Sequence, residues 1–269
     1  MSAAAAYTSD LSVGDFALCH QLGLEPLSQV MGSSIYQVGY ESGQWPSAWG
    51  GGMTYELSAL SDAWNEVREL ALGRLAQEAT QAGADAVIGV DVRSGTHDFA
   101  EGGVEQVVIG TAVRHTRERD RDRAKGAAPV LTELSVADYV KLLQAGVEPL
   151  GIVAWSSVFF VFPSSEVQAV GGLAGRLMYP ENQELVGYTQ GVYEARETVL
   201  ARMTEQAERL GASGVIGTRI AHGIATRDVR AGGFTQTGLV VTFHAIGTAI
   251  AGSAEADPHP PQTAIDLTT

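Results

Sequence analysis

The sequence predicts an α+β protein built from two tandem copies of one small domain. The first indication is an internal repeat in the 269-residue chain. The stretch at 12–38 is similar to the stretch at 135–161, and the stretch at 66–89 is similar to the stretch at 194–217. Each copy also holds one long amphipathic segment, followed by two β-rich segments that a polar, glycine-bearing loop joins. This order predicts one main helix packed on an antiparallel sheet in each copy.

The repeated stretches keep their order while the offset between them grows from 123 to 128 and then to 137 residues. Loops accept insertions far more readily than packed elements do, so this drift is typical of a duplicated domain. The sequence therefore predicts one domain at 1–114 and a second at 131–251. A charged linker at 115–130 joins them, and a tail at 252–269 has the composition of a disordered segment.

Each copy is predicted to begin with a short helix. A serine N-cap, an aspartate three residues on and a terminating glycine define it: Ser12, Asp15 and Gly23 in the first copy, and Ser135, Asp138 and Gly146 in the second. A Glu-Pro-Leu sequence then opens an extended segment in both copies. It is predicted to run on as short strands around Ser33–Ser34 and Ser156–Ser157.

The main helix is predicted from six apolar positions that share one helical face in each copy. These are Trp64, Val67, Ala71, Leu75, Ala79 and Ala82 in the first copy, and Val192, Ala195, Val199, Met203, Ala207 and Leu210 in the second. Gly83 and Gly211 follow as terminating residues. The closing strands are expected at 85–92, 104–113, 213–220 and 238–250.

The last strand of each copy is apolar on both of its alternating faces. One face is expected to pack on the main helix, so the other also needs cover, from the sister copy or from another subunit. The sequence therefore predicts a homo-oligomer. The expected contacts are the strand residues that alternate away from Ile88 and Ile216, namely Val87, Gly89, Val215 and Gly217.

Composition narrows the class of protein. A net charge of −14 argues against a nucleic-acid or anionic-membrane partner. The single cysteine, Cys19, rules out an intramolecular disulfide and the thiolate-cluster metal motifs. The first residues have neither a basic start nor an apolar core, and no stretch approaches a membrane-spanning length, so a cytoplasmic protein is expected.

Six histidines and an acidic first copy make metal binding a candidate function. They fall at no recognised ligand spacing. Cys19 and His20 correspond to leucines in the second copy, and His244 corresponds to a valine in the first, which favours packing positions. The pair His97–Asp98 in a loop is the remaining weak candidate. No metal and no cofactor are predicted.

A polar helix face recurs in both copies. Its members are Glu66, Arg68 and Glu69 in the first copy, and Glu194, Arg196 and Glu197 in the second. A salt-bridged face or a subunit contact is the favoured interpretation. The alternative is an enzyme whose carboxylates and arginine converge in a cleft.

Two further segments suggest a binding role. Trp45 and Trp49 lie in a glycine-rich loop, where they could stack on a flat ligand or anchor a partner. The second copy has no tryptophan in its version of that loop, so local packing is the favoured interpretation. The tail contains the sequence AIDL, which could dock to a protein partner, although a plain flexible end is favoured.

The run LGRLAQEATQAGADAVIGVDV, followed by VIGTAV, resembles the YbjQ-like family, also named for a heavy-metal-binding domain. The second copy resembles a more diverged member. The resemblance implies a compact unit with a helix laid on an antiparallel sheet, and ring-like, often five-fold, homo-oligomers. It implies no established enzymatic activity. We therefore expect a non-enzymatic assembly protein, and the alternative is a small-molecule or heavy-metal-binding protein.

Overall fold

A computed structural model describes residues 8–38, 54–97, 103–116, 128–162, 184–231 and 234–252. Within these ranges the chain forms four helices and eight strands. In chain order they are α1 (Val13–Leu22), β1 (Leu24–Gln37), β2 (Thr54–Glu56), α2 (Ser58–Gln81), β3 (Ala86–His97), β4 (Gly103–His115), β5 (Val130–Leu131), α3 (Val136–Gln144), β6 (Glu148–Val161), α4 (Val186–Arg209), β7 (Gly214–Ala231) and β8 (Phe234–Ala251).

The strands form two four-stranded sheets, which confirms the duplicated α+β fold. The first sheet has the order β1-β4-β3-β5 and the second has the order β2-β6-β8-β7. All neighbours are antiparallel except β3 and β5. The register shifts also fall at matching places: Pro26/Ser28 and Ile88/Asp91 in the first sheet, Pro149/Gly151 and Ile216/Arg219 in the second.

Each sheet takes one edge strand from the other copy. β2 belongs to the first copy in sequence, yet it pairs with β6, with Thr54 opposite Val161. β5 lies at the start of the second copy, yet it pairs with β3, with Val130 opposite Ala86. Among the described strands, each sheet therefore has one edge paired with a strand of the sister copy and one edge without a paired strand, which is β1 in the first sheet and β7 in the second.

The short helices begin where the sequence predicts. The Oγ of Ser12 accepts a hydrogen bond from the backbone N–H of Asp15 at 3.1 Å, and Ser135 caps α3 in the same way. The extended segments differ from the prediction, since β1 and β6 are each one continuous strand of 14 residues. Pairing along the whole length of β4 and β8 keeps them extended.

The predicted apolar faces of the main helices are confirmed except at Leu210, which follows the last turn of α4 and is exposed. Val67, Ala71, Leu75 and Ala79 of α2 are fully buried, largely against β1 and β4. A Cβ added to Gly32 would lie 1.9 Å from the carbonyl oxygen of Ala71, so only glycine allows α2 to approach β1 this closely.

α2 packs against both sheets. Its later turns pack on the first sheet, while its early turns cover the second sheet on the face opposite α4, where Trp64 joins a cluster with Val158 and Phe160 of β6. The second sheet thus lies between two helices, and the sister copy supplies one of them. The first sheet has a main helix on one face within this chain.

Among the described helices, none has the length and apolar character needed to cross a membrane.

Candidate functional site

The two valines expected at an interface point their side chains towards the main helices. Val87 is fully buried beneath α2, and Val215 packs in the cluster beneath α4. Ile88 and Ile216 instead share a cluster with α1 and α3 on the other face. The predicted direction of the two valines is therefore wrong, because both strand faces are apolar and alternation alone does not show which one meets the helix.

The backbone of the same residues does contact the sister copy. Thr132 donates its N–H to the carbonyl oxygen of Val87 at 2.9 Å, and Gly89 donates its N–H to the carbonyl oxygen of Leu134 at 2.9 Å. Gly89 has a φ of 64°, which favours glycine, and this places its N–H outside the β4 ladder. Val215 and Gly217 hold the equivalent positions on the open edge of β7, where contact with another chain remains a prediction.

The recurring polar face behaves differently in the two helices. Arg68 is buried, with 4% of its surface exposed, whereas Glu66 and Glu69 are exposed. The counterparts in α4 are all exposed: Glu194, Arg196 and Glu197. The side chains do not converge, so the cleft that the enzymatic alternative required at these residues is not formed.

Arg68 is held by neutral groups of both copies. Its Nη1 donates to the Oγ of Ser156 at 2.7 Å, and its Nη2 donates to the carbonyl oxygen of Ala154 at 3.0 Å and to the Oδ1 of Asn65. In the part of the chain that the structure describes, no carboxylate forms an ion pair with Arg68. Burial lowers the pKa of Arg68 to about 10, while the charge of Glu69 opposes this shift.

His244 adjoins the same serine. Its Nδ1 lies 2.7 Å from the Oγ of Ser156, and its ring packs edge-on against Trp64 with a centroid distance of 4.9 Å. Burial and, second, the charge of Arg68 lower the pKa of His244 to about 4, so the imidazole is neutral at pH 7. Because Ser156 accepts from Arg68, its own hydroxyl proton can be donated to Nδ1, which leaves the ring proton on Nε2.

A cavity of about 380 Å³ opens beside these groups at the junction of the two copies. Gln106 lines it and is 1% exposed; its Nε2 donates to the Oγ of Ser94 at 3.2 Å, and its Oε1 has no partner. Arg219 also lines the cavity and bonds to Glu133 at 2.9 Å. The arrangement supplies one arginine that has no ion-pair partner among the described residues, a neutral histidine and an unsatisfied amide, while Asp91 and Arg219 in the lining are already paired with other charges. This combination suits binding of a small polar molecule.

Sequence reasoning did not find this site. Arg68 was assigned to a solvated or subunit face, and Gln106 was not singled out. His244 was interpreted as a packing position, and its ring does pack on Trp64, but its hydrogen bond to Ser156 was missed. One sequence feature could have indicated the site: Gln106 and His244 are polar, whereas the residues that align with them in the other copy are apolar.

The other sequence candidates do not join this site. Trp45, Trp49 and Asp98 lie outside the described residues, as does the tail after residue 252. His97 is the last residue of β3.

The described residues do not fit a heavy-metal site. They contain no group of three or more histidine, cysteine, aspartate and glutamate side chains that could hold a metal ion. His20 packs edge-on against Phe16, and the Nε2 of His115 lies 3.2 Å from the hydroxyl of Tyr139. Burial, with a smaller effect of the Asp15 charge, raises the pKa of Cys19 to about 11, which keeps the thiol protonated and a poor metal ligand.

Comparison with known proteins gives two kinds of relative. The Encapsulin nanocompartment protein Rv1762c of Mycobacterium tuberculosis is 36% identical over 217 residues, which cover 80% of this chain and 78% of that protein. UPF0145 proteins of Clostridium novyi and Halobacterium salinarum are 46% identical over 59 residues and 45% identical over 58 residues. Those stretches cover 22% of this chain and about half of each UPF0145 protein, 55% and 54%.

The family model YbjQ_1, described as "Putative heavy-metal-binding", matches the chain at residues 48–116 and again at 181–252. Each match contains a main helix and the two strands that follow it. Together they span slightly more than half of the chain. The chain therefore belongs to the YbjQ family and carries the family's domain twice.

Proposed function

We propose that this chain is a non-enzymatic, cytoplasmic assembly protein whose molecules join end to end into a closed homo-oligomeric ring. One observation carries the proposal: the surfaces that join the two copies inside the chain recur, uncovered, at its two ends. The relative from Mycobacterium tuberculosis bears the name of a nanocompartment protein, which supports a role in assembly.

The first uncovered surface lies on α4. In α2 the equivalent surface is formed by Asn65 and Arg68, and β6 of the sister copy buries both. Their counterparts are Tyr193, which is 60% exposed, and Arg196, which is also exposed. We call Tyr193 and Arg196 the α4 end surface. We expect a strand equivalent to β6, from another chain, to pack on it.

The second uncovered surface lies on β1. Ile35 is 56% exposed and Met31 is similarly exposed, whereas their counterparts in β6, Val158 and Ala154, are buried beneath α2. We call Met31 and Ile35 the β1 end surface. A large exposed apolar pair of this kind suits a protein contact, and the α4 end surface of another chain holds the position that α2 holds against β6 inside the chain.

The open edge of β7 adds backbone groups to the contact. In the covered edge of β3, the segment after β5 bonds to Val87 and Gly89. The equivalent segment of the first copy is Ser9–Leu11, and it has the same local structure: Leu11 donates its N–H to Ser9 Oγ at 3.3 Å, as Leu134 does to Thr132 Oγ1 at 3.1 Å. We therefore expect Ser9 and Leu11 to bond to Val215 and Gly217 of a neighbouring chain.

A contact between two different surfaces repeats from chain to chain and gives either a ring or an open filament. Closure into a ring leaves no end surface uncovered, which favours the ring. Each chain contributes two copies, so a ring of this kind holds an even number of domains, and a ring with five-fold symmetry would contain five chains and ten domains.

Native mass spectrometry at micromolar concentration tests the proposal. The wild-type chain of 28.3 kDa should give one discrete multiple of that mass, and Tyr193→Asp should give single chains. Leu210→Asp is the matched control, because Leu210 is an exposed apolar residue at the far end of α4 and outside the end surface. A monomeric wild type, or a Tyr193→Asp ring of unchanged mass, would contradict the proposal.

A further inference from the structure

We propose that the cavity beside Arg68 binds a small hydroxycarboxylate, with the carboxylate paired to Arg68 and the hydroxyl bonded to Gln106. All residues of this site belong to one chain, so the inference does not depend on ring formation.

The charge of Arg68 calls for an anion. The guanidinium is 4% exposed and its hydrogen bonds go to neutral acceptors, which use three of its five N–H groups. A buried cation is costly unless an anion accompanies it. The other charges at the cavity are already compensated, since Arg219 pairs with Glu133 and Asp91 pairs with Arg93 at 2.8 Å.

The amide of Gln106 calls for a hydroxyl. One end of this amide bonds to Ser94, and the other end is buried without a partner. A hydroxyl both donates and accepts, so it satisfies that end in either orientation of the amide.

The rest of the lining suits a short aliphatic body. Val92, Ile220 and Ile246 contribute apolar surface to the cavity. A volume of about 380 Å³ is within the usual range of small-molecule sites.

The polar character is specific to this junction. Arg68 has an arginine counterpart in the second copy, but Gln106 aligns with Phe243 and His244 aligns with Val107. If the repeat needed polar groups at these positions for folding, the aligned residues of the other copy would be polar as well, and they are not. Binding of a ligand explains why only the positions that line this cavity are polar.

Isothermal titration calorimetry on the full chain tests the site with three matched probes: 2-hydroxy-4-methylpentanoate, 4-methylpentanoate and the methyl ester of the hydroxy acid. We expect the hydroxy acid to bind about tenfold more tightly than 4-methylpentanoate, because the latter leaves the amide unsatisfied. The uncharged ester should not bind. Equal binding of the ester, or no binding of either carboxylate at millimolar concentration, would overturn the proposal.

Three variants assign the contacts. Arg68→Met should abolish binding of both carboxylates, and Gln106→Leu should keep binding while removing the preference for the hydroxyl. Arg202→Met is the control, since Arg202 pairs with Glu205 outside the cavity, and it should bind as wild type does. If Arg68→Met does not fold, Gln106→Leu still decides, because a retained hydroxyl preference in that variant would contradict the assignment.

Discussion

The two main helices are copies of one sequence placed in different surroundings. Arg68 of α2 lies against the backbone of β6 and is nearly inaccessible, while Arg196 at the same position of α4 is exposed. Both residues are arginines at equivalent positions of the repeat, so the residue type does not explain the difference in exposure. The neighbouring copy decides whether this arginine is buried, and in the proposed ring the exposed face of α4 would be covered in the same way.

The two sheets repeat the contrast. The second sheet is enclosed by α4 on one face and α2 on the other, whereas the first sheet leaves Met31 and Ile35 uncovered. Equivalent positions therefore provide matched pairs of variants, in which one member tests folding of the chain and the other tests association.

The largest effect is expected for Val158→Asp compared with Ile35→Asp. Val158 is 2% exposed beneath α2, so an aspartate there is buried without a partner and should lower the free energy of unfolding by about 3–5 kcal/mol. Ile35→Asp should change that free energy by less than about 0.5 kcal/mol and should dissociate the ring. Urea unfolding and native mass spectrometry measure the two effects; equal destabilisation would refute the difference between the faces.

The next effect compares Arg68→Met with Arg196→Met in an Ile35→Asp background, where the chains are expected to be single. Arg68→Met removes the donor from Ser156, Ala154 and Asn65 and should cost about 3 kcal/mol. Arg196→Met should cost less than about 0.5 kcal/mol. Urea unfolding of both variants measures the difference, and similar costs would mean that burial of Arg68 contributes nothing.

The dependence of stability on pH distinguishes His244 from its counterpart Val107. The pKa of His244 falls from 6.5 to about 4 on folding, so the unfolded chain binds a proton that the folded chain does not. The stabilisation is complete above pH 6.5 and is lost as the pH falls towards 4, by roughly 3 kcal/mol at most. Urea unfolding at pH 7 and pH 4 should show this loss in the wild type and a smaller one in His244→Val; identical losses would show that His244 is not responsible.

The smallest effect concerns the two segments that precede α1 and α3. Thr132 and Thr248 are fully buried and their hydroxyl oxygens lie 2.9 Å apart, so Thr132→Val should cost about 2 kcal/mol. Ser9→Ala loses one partly exposed hydrogen bond and should cost less than about 0.5 kcal/mol in the single chain. Thermal unfolding compares the two variants, and a cost for Ser9→Ala as large as that for Thr132→Val would mean that the two hydroxyls contribute equally to the fold of the single chain.

The helices followed from the sequence because local rules determine them. Serine caps fix the starts of α1 and α3, and the apolar stripe of α2 has the period of a helix. The exchange of β2 and β5 did not follow, because strands of three and two residues have no local signal and depend on the edge that receives them.

The site was less accessible to sequence reasoning for a related reason. The polar side of α2 lies against a sheet, where Arg68 and Asn65 bond to backbone carbonyl oxygens of β6. A charged helix residue that faces backbone carbonyl oxygens occurs in the same sequence pattern as a charged residue that faces water. The sequence therefore cannot distinguish the two positions. The resemblance predicted the family correctly, and the structure was needed to show which member of each matched pair is covered.

The polar cavity at the junction inside the chain has a consequence for how the duplicated protein could diverge. Covalent linkage keeps the two copies at an effective concentration on the order of millimolar, so their junction holds even though Gln106 and His244 occupy positions that are apolar in the other copy. In the proposed ring, the junction between molecules has no such tether and would depend on surfaces such as Ile35 and Tyr193. Fusion of two domains therefore allows the junction inside the chain to carry polar residues that could bind a ligand, while the proposed junction between molecules must keep the residues that hold it together.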